Sequence, residues 1–448
     1  MEKINCFKAY DLRGKVPSEL NEELAYKIAF GYTKLTGCKT VVIGYDIRTS
    51  SLPISRSLIN GFLDCGVDVT DIGLCGTEMI YFGTSFLCVD GGIMITASHN
   101  PPEYNGMKFV KRNSVPISYD SGLNQIESFI VNNDLPPVSP LKGKLVEKDI
   151  SAEFTSNLKR FFSPENIKPL KVVVNAGNGC AGPALNNIES MLPIEMVKLF
   201  FEPDSSFPNG VPNPMLEENR KPTIDKIIES KADLGVAWDG DYDRCFFFDE
   251  TGRFIEGYYI VGLLAKSILR NNPGGKIVHD PRLTWNTLEI VKKAGGIAVE
   301  SKSGHAYIKE KMREVDSVYG GEMSAHHYFK ENAVSDSGII PFLLVLQLIS
   351  EEGKSLSQLV EEMVKKYPCS GEINSVVNDP ANKIKELEKI YSDGKQEHVD
   401  GLSVEYPTWR FNLRMSNTEP ILRLNVESKG DEDLMKAKTA ELLSLIRN

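Results

Sequence analysis

Several things are missing from this sequence, and each absence removes a class of function. The longest strongly apolar stretch, residues 339–349, is about half the length a membrane-spanning helix needs, so it reads as a buried helix. The opening segment, MEKINCFKAYDLRGK, lacks the apolar core of a signal peptide, and the expectation is a cytoplasmic protein. The eight cysteines form no CxxC pair and are spread through apolar segments, the pattern of free, buried thiols in a reducing compartment. Positive charge is not in excess. The net charge of −10 argues against nucleic-acid or anionic-membrane partners, yet it leaves local Arg and Lys clusters free to bind small anions. No G-x-S-x-G elbow is present, so acyl transfer is not suggested.

What is there is enough chain for about three or four domains: 448 residues. Three apolar, strand-like runs each begin at a lysine and end in a polar turn: KTVVIGYD from Lys39, KVVVNAG from Lys171 and KIVHDPR from Lys276. Each is followed by a helical pattern and, later, by a strand running into a loop of unusual residues. These loops are TASHNP, DGDYDR and GGEMSAHH. Ligands of open α/β sheets bind at the carboxyl ends of strands. Diverged repeats of this kind predict three similar α/β domains facing a central cleft. After Tyr367 the pattern changes to helix, strands and helix, a smaller α+β domain. The expected boundaries are 1–150, 151–252, 253–366 and 367–448.

The strongest chemical signal is DGDYDR. Asp239, Asp241 and Asp243 alternate and converge in a tight loop. At about 4 Å and an effective dielectric of 20, each carboxylate pair repels by about 4 kcal/mol. A bound Mg²⁺, with all-oxygen ligands, removes that cost. An EF-hand is the first rival, with Glu250 at position 12, but Arg244 stands where that loop needs glycine. A solvated acidic loop without metal is the second.

TASHNP places Ser98 on a turn beside His99 and Asn100. It is either an exposed nucleophile or an ordinary turn. Gly177, Gly179 and Gly182, followed by Glu202, form a dinucleotide fingerprint in sequence, so a nicotinamide-dependent dehydrogenase is a rival reading. Glu322 and Ser324 suit a grip on sugar hydroxyls, and His326 and His327 follow them. RMSNTEP gathers Arg414, Ser416, Asn417 and Thr418, with Arg423 close behind. That is either a phosphate cradle or an exposed turn.

TASHNP, DGDYDR, GEMSAHH and RMSNTEP occur in this order, with FKAYDLRG adding Arg13 near the amino end. Together they resemble the α-D-phosphohexomutase superfamily along the whole chain, and GEMSAHHYF, HDPRLTWNT and FKAYDLRG look most like bacterial phosphomannomutases of the GDP-mannose pathway. The resemblance implies four domains around a deep cleft, the first three α/β with mixed sheets, a phosphoryl carrier at Ser98, and Mg²⁺ held by Asp239, Asp241, Asp243 and that phosphoserine. Arg13, His99, Lys108 and Arg244 would surround it. Glu322 and Ser324 would bind the sugar's 3- and 4-hydroxyls, with Arg282 and His305 lining the sugar site. Arg414, Ser416, Asn417, Thr418 and Arg423 would hold the non-reacting phosphate. Arg282 stands where relatives often carry Lys, and a guanidinium barely gives up its proton.

The implied reaction interconverts mannose 6-phosphate and mannose 1-phosphate through a hexose 1,6-bisphosphate. A phosphoglucomutase or bifunctional mutase is the near alternative, and a noncatalytic phosphosugar-binding protein the distant one. The implied partners are a phosphosugar and, at most, a second copy of the chain: a monomer or homodimer.

Overall fold

The three lysine-led runs become parallel strands, Thr40–Tyr45, Lys171–Asn175 and Lys276–His279, in a computed structural model that describes residues 3–415 and 421–448. Their β-branched residues are buried almost throughout, as expected of strands covered on both faces. The chain divides into two compact units. The first runs up to Phe254 and takes in Tyr328–Gly353; the second comprises Ile255–His327 and Lys354–Asn448.

The first unit contains two mixed sheets. In one, Thr40–Tyr45 lies parallel between Asp68–Leu74 and Gly91–Ile95, while Tyr104–Lys111 and Leu12–Lys15 continue antiparallel. In the other, Lys171–Asn175 lies parallel between Glu195–Leu199 and Leu234–Trp238, and Cys245–Phe248 continues antiparallel. In both, a central parallel strand turns back as its antiparallel neighbour. TASHNP and DGDYDR are those two turns, so the repeat gives them equivalent positions. The apolar helix foreseen at 339–349 forms as Ile339–Glu352 and is buried in this unit. Its amino end is tied down by Trp238, whose Nε1 donates to Gly338 O at 2.9 Å.

In the second unit, Ile297–Glu300, Lys276–His279 and Tyr319–Gly321 run parallel. The carboxyl-terminal part is an antiparallel sheet with two helices, Pro380–Ile390 and Glu432–Arg447, over a core that includes Leu387, Phe411, Leu424 and Leu442. Each helix starts on an aspartate cap, Asp379 or Asp431, whose side chain accepts a backbone N–H of the first turn.

Among the described residues no helix is long and apolar enough to cross a membrane. The cysteines are free. Their uniform burial fails at Cys88, which follows helix Thr77–Phe86 and is exposed, and Cys65 and Cys369 are half-buried.

Candidate active site

Ser98 sits in the left-handed backbone region, with φ of 51°, a conformation a non-glycine residue holds only when its surroundings impose it. The imposing groups are visible. Ser98 N donates to Thr96 Oγ1 at 2.8 Å. Arg48, fully buried, donates to the carbonyls of Ser98, Asn100, Pro101 and Tyr104 at 2.6–3.0 Å. Gly240, in the acidic loop, approaches so closely that a Cβ there would lie 2.5 Å from Ser98 O. The serine turn and the acidic loop are thus packed backbone to backbone.

The result is an aimed hydroxyl. Ser98 Oγ donates to Asp239 Oδ2 at 2.7 Å, receives Arg244 Nη2 at 2.9 Å, and lies 3.1 Å from His99 Nδ1. Arg244 also pairs with Asp239 and touches His99. Lys108, buried on strand Tyr104–Lys111, places Nζ 2.7 Å from Asp241 Oδ2 and 2.5 Å from Asp243 Oδ2. Burial alone would pull the lysine's pKa down, but the two carboxylates hold it above its ordinary value. Burial likewise works to raise the Asp241 carboxyl, and Lys108, Thr77 and Arg244 outweigh it and keep it below the usual range. Arg13 reaches the same turn, donating to Asn100 Oδ1 at 2.8 Å and to Asp11 at 2.6 Å. The seven residues expected around the phosphoryl carrier therefore gather in one unit about Ser98.

The three aspartates offer ligand oxygens that all lie within 4.8 Å of one another. Asp241 Oδ1 is buried with no hydrogen-bond partner among the described residues. An all-oxygen, carboxylate-rich set with an unsatisfied buried oxygen fits a hard divalent cation such as Mg²⁺. The glycine fingerprint has another job. A Cβ on Gly179 would lie 2.7 Å from Gly240 O and one on Gly182 would lie 2.0 Å from Phe201 O. These glycines admit protein backbone, including the acidic loop's, where a pyrophosphate would need room.

The second unit carries a separate cluster. Arg282 donates through Nε and Nη2 to Asp280 at 3.0 and 2.8 Å, and through Nη2 to Ser324 Oγ at 3.1 Å, with Glu322 Oε1 at 3.4 Å. Gly304 N donates to Glu322 Oε1 at 2.8 Å, which brings His305, first residue of the next helix, beside the same loop. Arg414 and Arg423 both pair with Glu372, at 3.1 and 3.3 Å, and Arg282 Nη1 lies 3.3 Å from the same carboxylate. Burial opposes ionisation of Glu372, but the three guanidiniums hold its pKa down at about 2. Ser416, Asn417 and Thr418 lie outside the described residues.

Sequence reasoning missed Arg48, Thr77, Asp280 and Glu372. A signal existed for two of them: the first and third repeats both end their leading strand in Asp-x-Arg, Asp46-Ile47-Arg48 and Asp280-Pro281-Arg282. Both form the same hook, the arginine's N and Nε donating to the aspartate two residues back.

Comparison with known proteins agrees with this geometry. Four models of phosphoglucomutase/phosphomannomutase match in order: alpha/beta/alpha domain I over residues 5–136, domain II over 152–252, domain III over 256–367, and the C-terminal domain over 372–444. A phosphomannomutase of Escherichia coli is 50% identical over the full length of both chains. A protein of Xanthomonas campestris described as phosphohexose mutases is 52% identical over 99% of both. A phosphoglucomutase/phosphomannomutase family structure from Burkholderia thailandensis superposes with a TM-score of 0.88 at 31% identity, covering 99% of this chain and 98% of that one. The chain belongs to the phosphoglucomutase/phosphomannomutase family.

Proposed function

We propose that the protein is a phosphomannomutase that interconverts mannose 6-phosphate and mannose 1-phosphate by way of phospho-Ser98. The observation that carries this reading is the Ser98 hydroxyl fixed between the Asp239 carboxylate and the Arg244 guanidinium, beside two further buried carboxylates. Phosphoryl transfer needs positioning and charge neutralisation above all, and the site supplies both. Asp239, Asp241 and Asp243, with an oxygen of the Ser98 phosphate, would hold Mg²⁺, which when bound neutralises charge on the transferring group.

In the forward half-reaction the sugar's 1-hydroxyl attacks phosphorus, its oxygen bonds to it, and the bond to Ser98 Oγ breaks. The sugar hydroxyl's proton leaves to a base, and Ser98 Oγ recovers one. The product is the 1,6-bisphosphate. In the second half its 6-phosphoryl group returns to Ser98, and mannose 1-phosphate is released. Arg244 and Lys108 keep fixed positive charge beside Ser98 and the acidic loop throughout. Arg13 orders the serine turn through Asn100. In the second unit Glu322 and Ser324 grip sugar hydroxyls, with Arg282 and His305 beside them. Arg414, Arg423 and Ser416–Thr418 hold the phosphate that is not reacting.

Mannose is favoured by the curated relatives, which are named phosphomannomutases at about half identity over the full length. Relatives described as phosphohexose mutases favour a second reading, a mutase that also accepts glucose phosphates. Mannose and glucose differ at C2, away from the hydroxyls assigned to Glu322 and Ser324, so those contacts discriminate weakly. Ser98→Ala should lower isomerisation of mannose 1-phosphate by orders of magnitude and abolish the phosphate that mass spectrometry finds on the Ser98 peptide. Full turnover in that variant would end the phosphoserine reading. Ratios of kcat/KM for mannose, glucose and glucosamine 1-phosphates decide the substrate, and a preference for glucosamine would overturn mannose.

A further inference from the structure

Three guanidiniums converge on one carboxylate at Glu372, and the carboxylate is almost fully buried. Of the three, Arg282 is already engaged by Asp280 through two hydrogen bonds. Arg414 and Arg423 have no other carboxylate in contact among the described residues. Each also keeps a buried Nε without a hydrogen-bond partner among those residues. The pair thus holds two positive charges, one internal negative charge, and donors left over. Glu372 directly precedes strand Ile373–Val376, which pairs in register with the strand carrying Arg423.

We propose that Glu372 is an internal counter-ion of the phosphate cradle: the substrate's non-reacting phosphate displaces or shares it, and its charge keeps that phosphate from being held too tightly. The inference rests on the reading of Arg414 and Arg423 as a phosphate cradle. A phosphate monoester brings a charge between −1 and −2 to the two guanidiniums. Glu372 offsets half of their charge and, through its shared bond with Arg282, links the phosphate grip to the group that binds Ser324. This matters for a mutase more than for a one-step enzyme. The bisphosphate must let go of the cradle and offer its other phosphate, so uniform tightening of the grip lowers KM without speeding turnover.

The test uses Glu372→Gln, which keeps the shape and removes the charge, with Glu372→Asp as the charge-preserving control. In Glu372→Gln, inhibition by inorganic phosphate and the KM for hexose phosphate should both tighten, by about tenfold, the size of a 1.4 kcal/mol change. The kcat should fall, and the salt dependence of phosphate binding should steepen. Glu372→Asp keeps the charge and should show no such tightening. A purely structural carboxylate predicts the opposite: splayed arginines and weaker phosphate binding in Glu372→Gln. Weaker or unchanged phosphate binding in a variant with the parent's circular dichroism overturns the proposal. Arg414→Ala separates the two levels. If it raises KM while Glu372→Gln changes nothing, only the counter-ion idea falls. If Arg414→Ala leaves KM untouched, the cradle and its counter-ion fall together.

Discussion

Replacing Lys108 with Met takes one positive charge out of a site that contains three buried carboxylates. Lys108 is 5% exposed, and both of its aspartate partners are fully buried. With oxygens under 4.8 Å apart, each carboxylate pair repels by about 3–4 kcal/mol at an effective dielectric of 20. Breaking a buried ion pair from one side typically costs about 3–5 kcal/mol, because the remaining charge stays buried and uncompensated. In EDTA the first unit of Lys108→Met should therefore lose about that much stability. Arg244 still pairs with Asp239 in that variant. Added Mg²⁺ supplies the missing charge, and at about 100 times its Kd a ligand returns about 2.7 kcal/mol. The gain in unfolding temperature on adding Mg²⁺ should thus be larger in Lys108→Met than in the parent, while kcat falls about 100-fold or more through lost transition-state charge. Calorimetry with and without EDTA reads the stability, and a coupled assay reads the turnover. A variant as stable as the parent in EDTA, with the same response to Mg²⁺, would refute the electrostatic account of this loop.

Other expectations are as direct. Arg48→Lys keeps the charge and loses the fork that holds four carbonyls, so kcat should fall about 10- to 100-fold with KM for the phosphosugar nearly unchanged; an unchanged kcat would show that the Ser98 turn needs no clamp. His327 is buried, accepts or donates one hydrogen bond to Tyr319 at 2.7 Å, and has its pKa pushed down by burial to about 3. A histidine kept neutral in the fold stabilises above its unfolded pKa of 6.5, and that stability is lost as pH falls from there toward 3. The parent should weaken along that limb by at most about 4 kcal/mol, and His327→Phe should flatten it in urea titrations at pH 7, 5.5 and 4. Equal slopes in both proteins would move the acid sensitivity elsewhere.

The repeats were legible because hydrophobic runs and polar turns are local signals. Lys39, Lys171 and Lys276 marked the starts of equivalent strands, and the acidic loop announced its chemistry by spacing alone. Ser98 was not legible in that way, since nothing in TASHNP distinguishes a strained, aimed hydroxyl from an ordinary turn. Its meaning comes from Arg48 and Gly240, which lie 50 residues before it and 142 after it. Lys108 carries no local signal and was legible through the resemblance alone; its reason is the pair of acidic-loop carboxylates that cover it. Glu372 is hidden for the same reason: a lone glutamate in GEINS carries no pattern until a sheet sets it against Arg423. The fold was written in periodicity, whereas the electrostatic partners depend on contacts between distant segments.

The paired Asp-x-Arg hooks also bear on how the two loops are free to change. Arg48 holds its loop by carbonyl oxygens, which every residue type provides, so positions 101–104 can be exchanged without the clamp noticing. Arg282 holds its loop by the side chains of Glu322 and Ser324, and no substitution there leaves the hook indifferent. One duplicated part has thus become both a blind clamp and a selective one. Engineering a new sugar preference should treat Arg282, Glu322 and Ser324 as a set to be altered jointly, and seek tolerance in positions 101–104, leaving Ser98, His99 and Asn100 as they are.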